Sequence, residues 1–204
     1  NNPTRLSRRK FLQLSAGAAL APWVPSLHLR AAEQPYNYTL VAKEAKVRLA
    51  KEPFPETQLW TFGGKAPGPL LRMKQGEKVR IVLQNEMERS TTAHWHGMRI
   101  PNAVDGVPFL TQEPILPGDE FVYEFTPPDA GTYWYHSHFS TTEQVGRGLH
   151  GPIIVEERNP IEVDRDVLWV LDDWRLDKNA QIVSDFNKQR DLARAGRLGN
   201  TITV

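Results

Sequence analysis

Two histidine pairs, His94-Trp95-His96 and His136-Ser137-His138, hold most of the chemistry this sequence offers. Each sets two imidazoles two residues apart. On a strand, residues i and i+2 point to one face, about 7 Å apart along the chain. Two such strands side by side bring four imidazoles together. A neutral imidazole can sit buried beside a metal without being desolvated as an ion, and it suits copper, zinc, iron and nickel alike. One His-x-His can be a surface accident or a hydrogen-bonded core pair. Two of them, each beside aromatic residues, point to a metal site, with the metal left open because zinc hydrolases also carry His-x-His on strands. The chain has six histidines and no cysteine, so it offers no thiolate ligand. Asp105, in Val104-Asp105-Gly106, has two readings. It is a turn residue, since Asp-Gly is a common turn pair, or a buried acid that relays protons.

The elements that must carry these residues read as short strands. Tyr38 to Leu49 mixes β-formers with charge before Pro53 and Pro55 interrupt it. From Leu70 to Leu83 a turn at Gln75-Gly76-Glu77 precedes Val79, Ile81 and Leu83, which alternate with Arg80 and Val82. Pro117-Gly118-Asp119 makes a second turn, followed by Phe121, Tyr123 and Phe125 on alternate positions. Ala130-Gly131 makes a third, Thr132 to His138 the next strand, and Gly151 to Glu157 another. Regular strands with turn residues between them point to an all-β sandwich or barrel. After Arg158 the pattern changes. Asn159-Pro160 reads as a linker, Val167 to Leu171 as a fresh apolar run, Asp185 to Arg197 as a helical or irregular polar stretch, and Thr201 to Val204 as a new strand without a visible partner.

Bulk composition sets the bounds. The chain has 204 residues, 40% of them hydrophobic, enough for a packed core. Sixteen prolines and fourteen glycines cut it into short segments, as β-rich folds do. A net charge of +1 with interspersed acids and bases gives no reason to expect nucleic acid as a partner. Ser7-Arg8-Arg9-Lys10-Phe11-Leu12 opens an apolar stretch reaching about Val24. That stretch is shorter than the roughly 20 residues a bilayer span needs. A basic start before a short apolar run is the pattern of a removable export signal, and the paired arginines match the bacterial twin-arginine type. We therefore expect residues 1–32 to be an export signal, with Ala31-Ala32 a loose match to a cleavage site; the alternative is a basic-tipped surface helix. His28 falls in or beside this signal.

Further motifs surround the histidines: Pro67-Gly68-Pro69-Leu70, Thr92-Ala93-His94-Trp95-His96-Gly97, Val104-Asp105-Gly106-Val107-Pro108, Ile115-Leu116-Pro117-Gly118, Gly131-Thr132-Tyr133-Trp134-Tyr135-His136-Ser137-His138 and Gly148-Leu149-His150-Gly151-Pro152. In order and spacing they resemble the first cupredoxin domain of the multicopper oxidases, the laccase-like family, over residues 36–158. The resemblance implies a Greek-key β-sandwich of cupredoxin type at 36–158, with 159–204 as linker and the truncated start of a second cupredoxin-like domain. It also implies half of a three-copper cluster. His94 would serve the type 2 copper, His96 and His136 one type 3 copper, and His138 the other. Asp105 would help deliver protons as dioxygen is reduced to water. Trp95 and Trp134 would shield the ligands. His150, where relatives often carry an aromatic or small residue, reads as an edge histidine.

The function implied is one-electron oxidation of a phenol or metal ion coupled to four-electron reduction of dioxygen. The partners implied are dioxygen, a small reductant and the remaining domains of the same protein or a neighbouring subunit, in the periplasm or outside the cell, with no stable membrane span. The blue type 1 copper needs a thiolate and is expected beyond Val204, so the chain alone is expected to be inactive. Three alternatives share the fold: an exported scaffolding protein that has lost copper, a copper-sequestering resistance protein, and a copper nitrite reductase. All four histidines are present, against the first. Met73, Met87 and Met98 are scattered singly, against the second, and the missing cysteine argues against the third.

Overall fold

Alternation of apolar and polar residues produces eight strands of two four-stranded sheets, as seen in a computed structural model that describes residues 36–193 and 196–204. The export signal expected at 1–32 and His28 lie outside the described residues. The strands are β1 (Tyr36–Val47), β2 (Thr57–Phe62), β3 (Leu71–Lys74), β4 (Val79–Asn85), β5 (His94–His96), β6 (Glu120–Phe125), β7 (Gly131–His136) and β8 (His150–Glu156). One sheet runs β2-β1-β4-β6 and the other β3-β8-β7-β5. Every step from β2 to β7 therefore crosses from one sheet to the other. Both sheets are mixed, because β1 pairs β4 and β3 pairs β8 in parallel.

The two sheets share one core. Leu40, Ile81, Leu83 and Tyr123 from the first meet Leu71, Trp95, Tyr135 and Ile153 from the second, each no more than 1% exposed. At about 25 cal/mol per Å² of apolar surface removed from water, each large side chain here contributes about 2 kcal/mol. The chain between β5 and β6 contains a short 3₁₀ turn, Asn102–Val104. Between β7 and β8 lies a six-residue helix, α1 (Thr141–Gly146).

Beyond β8 only Asp172–Trp174 (β9) and Thr201–Thr203 (β10) form strands among the described residues, and they pair antiparallel with each other. The terminal strand expected to lack a partner thus has one. Asp185 to Arg197 contains one short helix, α2 (Gln189–Leu192). Of the apolar run 167–171, Val167, Trp169 and Leu171 are exposed and outside any strand. A second apolar cluster of Trp174, Leu176, Ala180, Ile182 and Phe186 closes over Leu59 of β2. Hydrogen bonds stitch it down: Thr57 Oγ1 donates to the Ala180 carbonyl at 2.7 Å, and the Gln58 amide donates to Gln181 Oε1 at 3.0 Å.

Candidate metal centre

β5 is an edge strand, and β7 beside it holds it in a register that pairs His94 with His136, Trp95 with Tyr135, and His96 with Trp134. The strand period of two then sorts the residues by face. Trp95 and Tyr135 point inward and are fully buried. His94, His96, His136 and Trp134 share the outer face. The inward tryptophan is the anchor. Its ring meets Tyr123 at 5.1 Å and Phe125 at 5.5 Å between centroids, and its indole N–H donates to the Val104 carbonyl at 3.0 Å. The Ala93 amide donates to the Tyr123 hydroxyl at 3.1 Å. Burial pushes that phenol up to about 12, so it stays neutral.

Each imidazole on the outer face is oriented by a partner. His94 Nδ1 lies 2.7 Å from the Asp105 carbonyl and 3.3 Å from Asp105 Oδ1. With the proton on Nδ1, His94 donates to that carbonyl and presents Nε2 as its free donor atom. His136 Nδ1 donates to the Ser137 carbonyl at 2.9 Å and likewise frees Nε2. Burial lowers the His136 pKa to about 4, with His94, His96 and His138 adding to the effect and the Ser137 carbonyl opposing it. His136 is therefore a neutral imidazole at ordinary pH, with Nε2 able to bind a metal. His96 offers the other nitrogen, its Nδ1 3.2 Å from His136 Nε2. Trp134 stacks on both rings, 4.1 Å from His136 and 4.9 Å from His96.

Donor atoms of His94, His96 and His136 all lie within 4.8 Å of one another. His138 stands outside that triad. β7 ends at His136, not at His138 as the sequence pattern predicts, and the chain bends at Phe139-Ser140 just beyond. The His138 ring sits 5.2 Å from that of His94 and 6.1 Å from that of His136, so the structure brings all four imidazoles to one place but three of them into closer array. Asp105 is beside His94, at the end of the 3₁₀ turn. Neutral nitrogen donors with side chains or carbonyls fixing their tautomers fit a transition metal.

His150 departs from expectation. It opens β8, an interior strand of its sheet, and is 5% exposed, so it is a buried histidine and not an edge one. Its Nε2 lies 3.3 Å from Asp172 Oδ2, and burial holds the imidazole pKa below its usual value. Burial raises the Asp172 carboxyl in turn. Sequence reasoning misses Thr91 and Gln144, buried polar residues that touch Ser137. Their signal is faint, because neither belongs to a motif that names a chemistry.

A β-sandwich carrying paired imidazoles on one outer face defines a metal-binding domain of cupredoxin type. The multicopper oxidase profile matches residues 42–160, and the chain belongs to that family; copper is its metal. Copper resistance protein A of Escherichia coli is 36% identical over 199 residues, covering 92% of this chain and 32% of that protein. Dihydrogeodin oxidase of Aspergillus terreus is 43% identical over 118 residues, covering 55% of this chain and 19% of that protein. The crystal structure of a multi-copper oxidase from Pseudomonas thermotolerans superposes with a TM-score of 0.80 at 40% identity, covering 84% of this chain and 41% of that one. The chain thus spans about a third of the length of the curated relatives it matches over most of its residues.

Proposed function

We propose that this chain supplies one half of a trinuclear copper cluster in an exported oxidase. His94 serves the type 2 copper, His96 and His136 one type 3 copper, and His138 the other. The observation that carries the reading is the convergence of His96 Nδ1 and His136 Nε2 to 3.2 Å, the spacing of two donors to one ion. Bound copper supplies one-electron chemistry that couples oxidation of a phenol or metal ion to reduction of dioxygen. The chain's own residues do the rest. The Asp105 and Ser137 carbonyls fix which nitrogen of His94 and His136 is free, Trp134 shields two rings from water, and the Asp105 carboxyl, 3.3 Å from His94 Nδ1, is placed to relay protons. With no cysteine in the 204 residues, the thiolate of a type 1 copper comes from residues outside this chain, together with the other four histidines.

Export through a twin-arginine signal at residues 1–32 to the periplasm or beyond belongs to the same reading, as does the division into a first domain at 36–158 and the start of another at 159–204. Among the described residues no helix is long and apolar enough to cross a membrane. The test is His96→Ala or His138→Ala in the full-length protein. Dioxygen consumption should vanish while the blue absorption of the type 1 site persists, and loss of both together would argue against the assignment. One observation favours a second reading, copper sequestration without turnover: a relative named for copper resistance matches over 92% of the chain. A copper-loaded wild-type protein that takes no oxygen in the presence of phenols or cuprous ion would select it.

A further inference from the structure

We propose that Gln144 is the positioning residue of the histidine cluster, locking the stretch after β7 that carries His138 to the segment that leads into His94. The inference rests on reading those histidines as copper ligands. Gln144 projects from α1 into the interior and is 1% exposed. Its amide joins three pieces of chain. Oε1 accepts from the Thr91 hydroxyl at 2.8 Å and from the Ser137 hydroxyl, and Nε2 donates to the Ser90 carbonyl at 2.8 Å. Ser90 and Thr91 lie just ahead of β5, and Ser137 separates the two histidines of the second pair.

The donors and acceptors leave one orientation of this amide. Thr91 and Ser137 each have one hydroxyl proton, and the same oxygen takes both. Turning the amide over would set its oxygen against the Ser90 carbonyl, two acceptors facing each other with no proton between them. Ser137 is held from its other sides as well. Its amide donates to the Leu149 carbonyl at 3.0 Å, its carbonyl accepts from His136 Nδ1, and its hydroxyl accepts from the Phe139 amide at 3.2 Å. The His138 amide donates to Thr92 Oγ1 at 3.3 Å. With His138 beyond the end of β7, strand pairing does not hold its backbone. The buried Gln144–Thr91–Ser137 network holds it instead, setting where His138 stands relative to the three histidines that the β5–β7 pairing places. A buried network of this kind fixes one geometry only while every member is satisfied.

The experiment compares Gln144→Met and Gln144→Glu with wild type in the full-length protein, reading Cu(II) affinity by chelator competition, the EPR spectrum of the bound copper, and the melting temperature of the metal-free form. Gln144→Met keeps the shape and removes the polar atoms; it should weaken copper binding about tenfold or more, the usual cost of losing an orienting partner, and alter the EPR hyperfine splitting. Gln144→Glu, whose carboxyl is kept protonated by burial, restores an acceptor for both hydroxyls and an O–H donor for the Ser90 carbonyl, and should recover most of the affinity and the wild-type spectrum. A Gln144→Met protein with lowered melting temperature but unchanged copper affinity and spectrum overturns the proposal, since a purely structural residue behaves so. If Gln144→Met does not fold, Thr91→Val, which deletes one hydroxyl, takes its place in the same two copper measurements: weakened binding with an altered spectrum supports the proposal, and wild-type values overturn it. If instead His96→Ala binds copper as wild type does, the ligand reading itself fails, and that outcome is separate from any result at Gln144.

Discussion

His96 and His136 meet through unlike nitrogens, Nδ1 of the first 3.2 Å from Nε2 of the second. The cause is backbone register. His136 has Nδ1 engaged with the Ser137 carbonyl, so only Nε2 faces outward, while His96, paired opposite Trp134, approaches it from the neighbouring strand. At 3.2 Å two ring nitrogens need a proton or a cation between them, since two bare lone pairs would repel. We expect His96→Ala and His136→Ala each to weaken copper binding by well over about tenfold, beyond what loss of an orienting partner costs, with far-ultraviolet circular dichroism unchanged. Copper content measured after dialysis against a weak chelator checks this, and retention of the full copper complement in either variant would rule out the shared site.

The turn that brings Asp105 to His94 depends on Gly106. Its φ is +77°, and a Cβ added there would lie 1.8 Å from the Ala93 carbonyl oxygen. Gly106→Ala therefore forces apart the strand that begins at His94 and the turn that caps its imidazole. Backbone strain alone costs about 1–3 kcal/mol, and the clash adds to it, so urea denaturation should show a loss above about 3 kcal/mol. Gly118 is the control. Its φ is +84° but nothing lies within 4 Å of the added Cβ, so Gly118→Ala should cost only about 1 kcal/mol. Equal losses at the two positions would contradict the close-approach argument.

The metal face is legible in the sequence because its code is simple. A period of two sets His94 and His96 opposite Trp95 within β5 and His136 opposite Tyr135 within β7, and the pairing of the two strands joins the faces. The turns at Gly76 and Gly118 and the alternation in β4 and β6 are legible for the same reason. What escapes depends on contacts far apart in the chain. His150 reads as an edge residue until β3 is seen to pair on its outer flank, which no local pattern announces. Gln144 looks like one polar residue in a polar helix until its amide is found on Thr91, 53 positions away in sequence. The apolar run 167–171 is plain in the sequence, yet its alternate side chains face solvent, since hydrophobicity marks what a chain could bury and not what it packs against here.

Asp105 can be separated from its own backbone. The carbonyl that orients His94 is main-chain, so Asp105→Asn removes the acid and leaves that hydrogen bond in place. Copper content and the Cu(II) EPR spectrum should stay near wild type. Oxygen consumption in the full-length protein should fall by about 100-fold, within the range lost with a proton-transfer group. If activity persists in Asp105→Asn, the residue is there for its turn chemistry alone.

His150 tests the boundary of the cluster. Its ring faces Asp172, whose Oδ2 is buried and without a hydrogen-bond partner. His150→Gln should leave the copper complement untouched while lowering stability by about 1–3 kcal/mol, because it removes a buried ring packed beside Trp174 and the imidazole 3.3 Å from Asp172. Loss of copper in this variant, with the melting temperature unchanged, would place His150 among the ligands.

The stretch after β8 is pinned by charge, and pH reads that out. Asp185 lies 2.5 Å from Lys188 Nζ, 3.2 Å from Arg175 Nη1 and 3.3 Å from Arg197 Nη2. Hydrogen bonding to Lys188, and then to Arg175, holds its carboxyl at about 2, against an opposing effect of burial. An acid whose pKa is lower folded than unfolded binds fewer protons in the folded state at intermediate pH. Its stabilising effect is therefore complete above its ordinary value of 3.8 and is lost as pH falls towards about 2. Wild type should lose urea resistance steadily across that window. Asp185→Asn should start lower at neutral pH, because Arg175 and Arg197 keep their charge without this partner, and should show a shallower decline across the same window. Amide hydrogen exchange over residues 174–186, the cluster this network borders, isolates the effect from the rest of the sandwich. Two parallel curves would mean that Asp185 titrates alike in both states and that packing against Leu59, not charge, holds the segment in place.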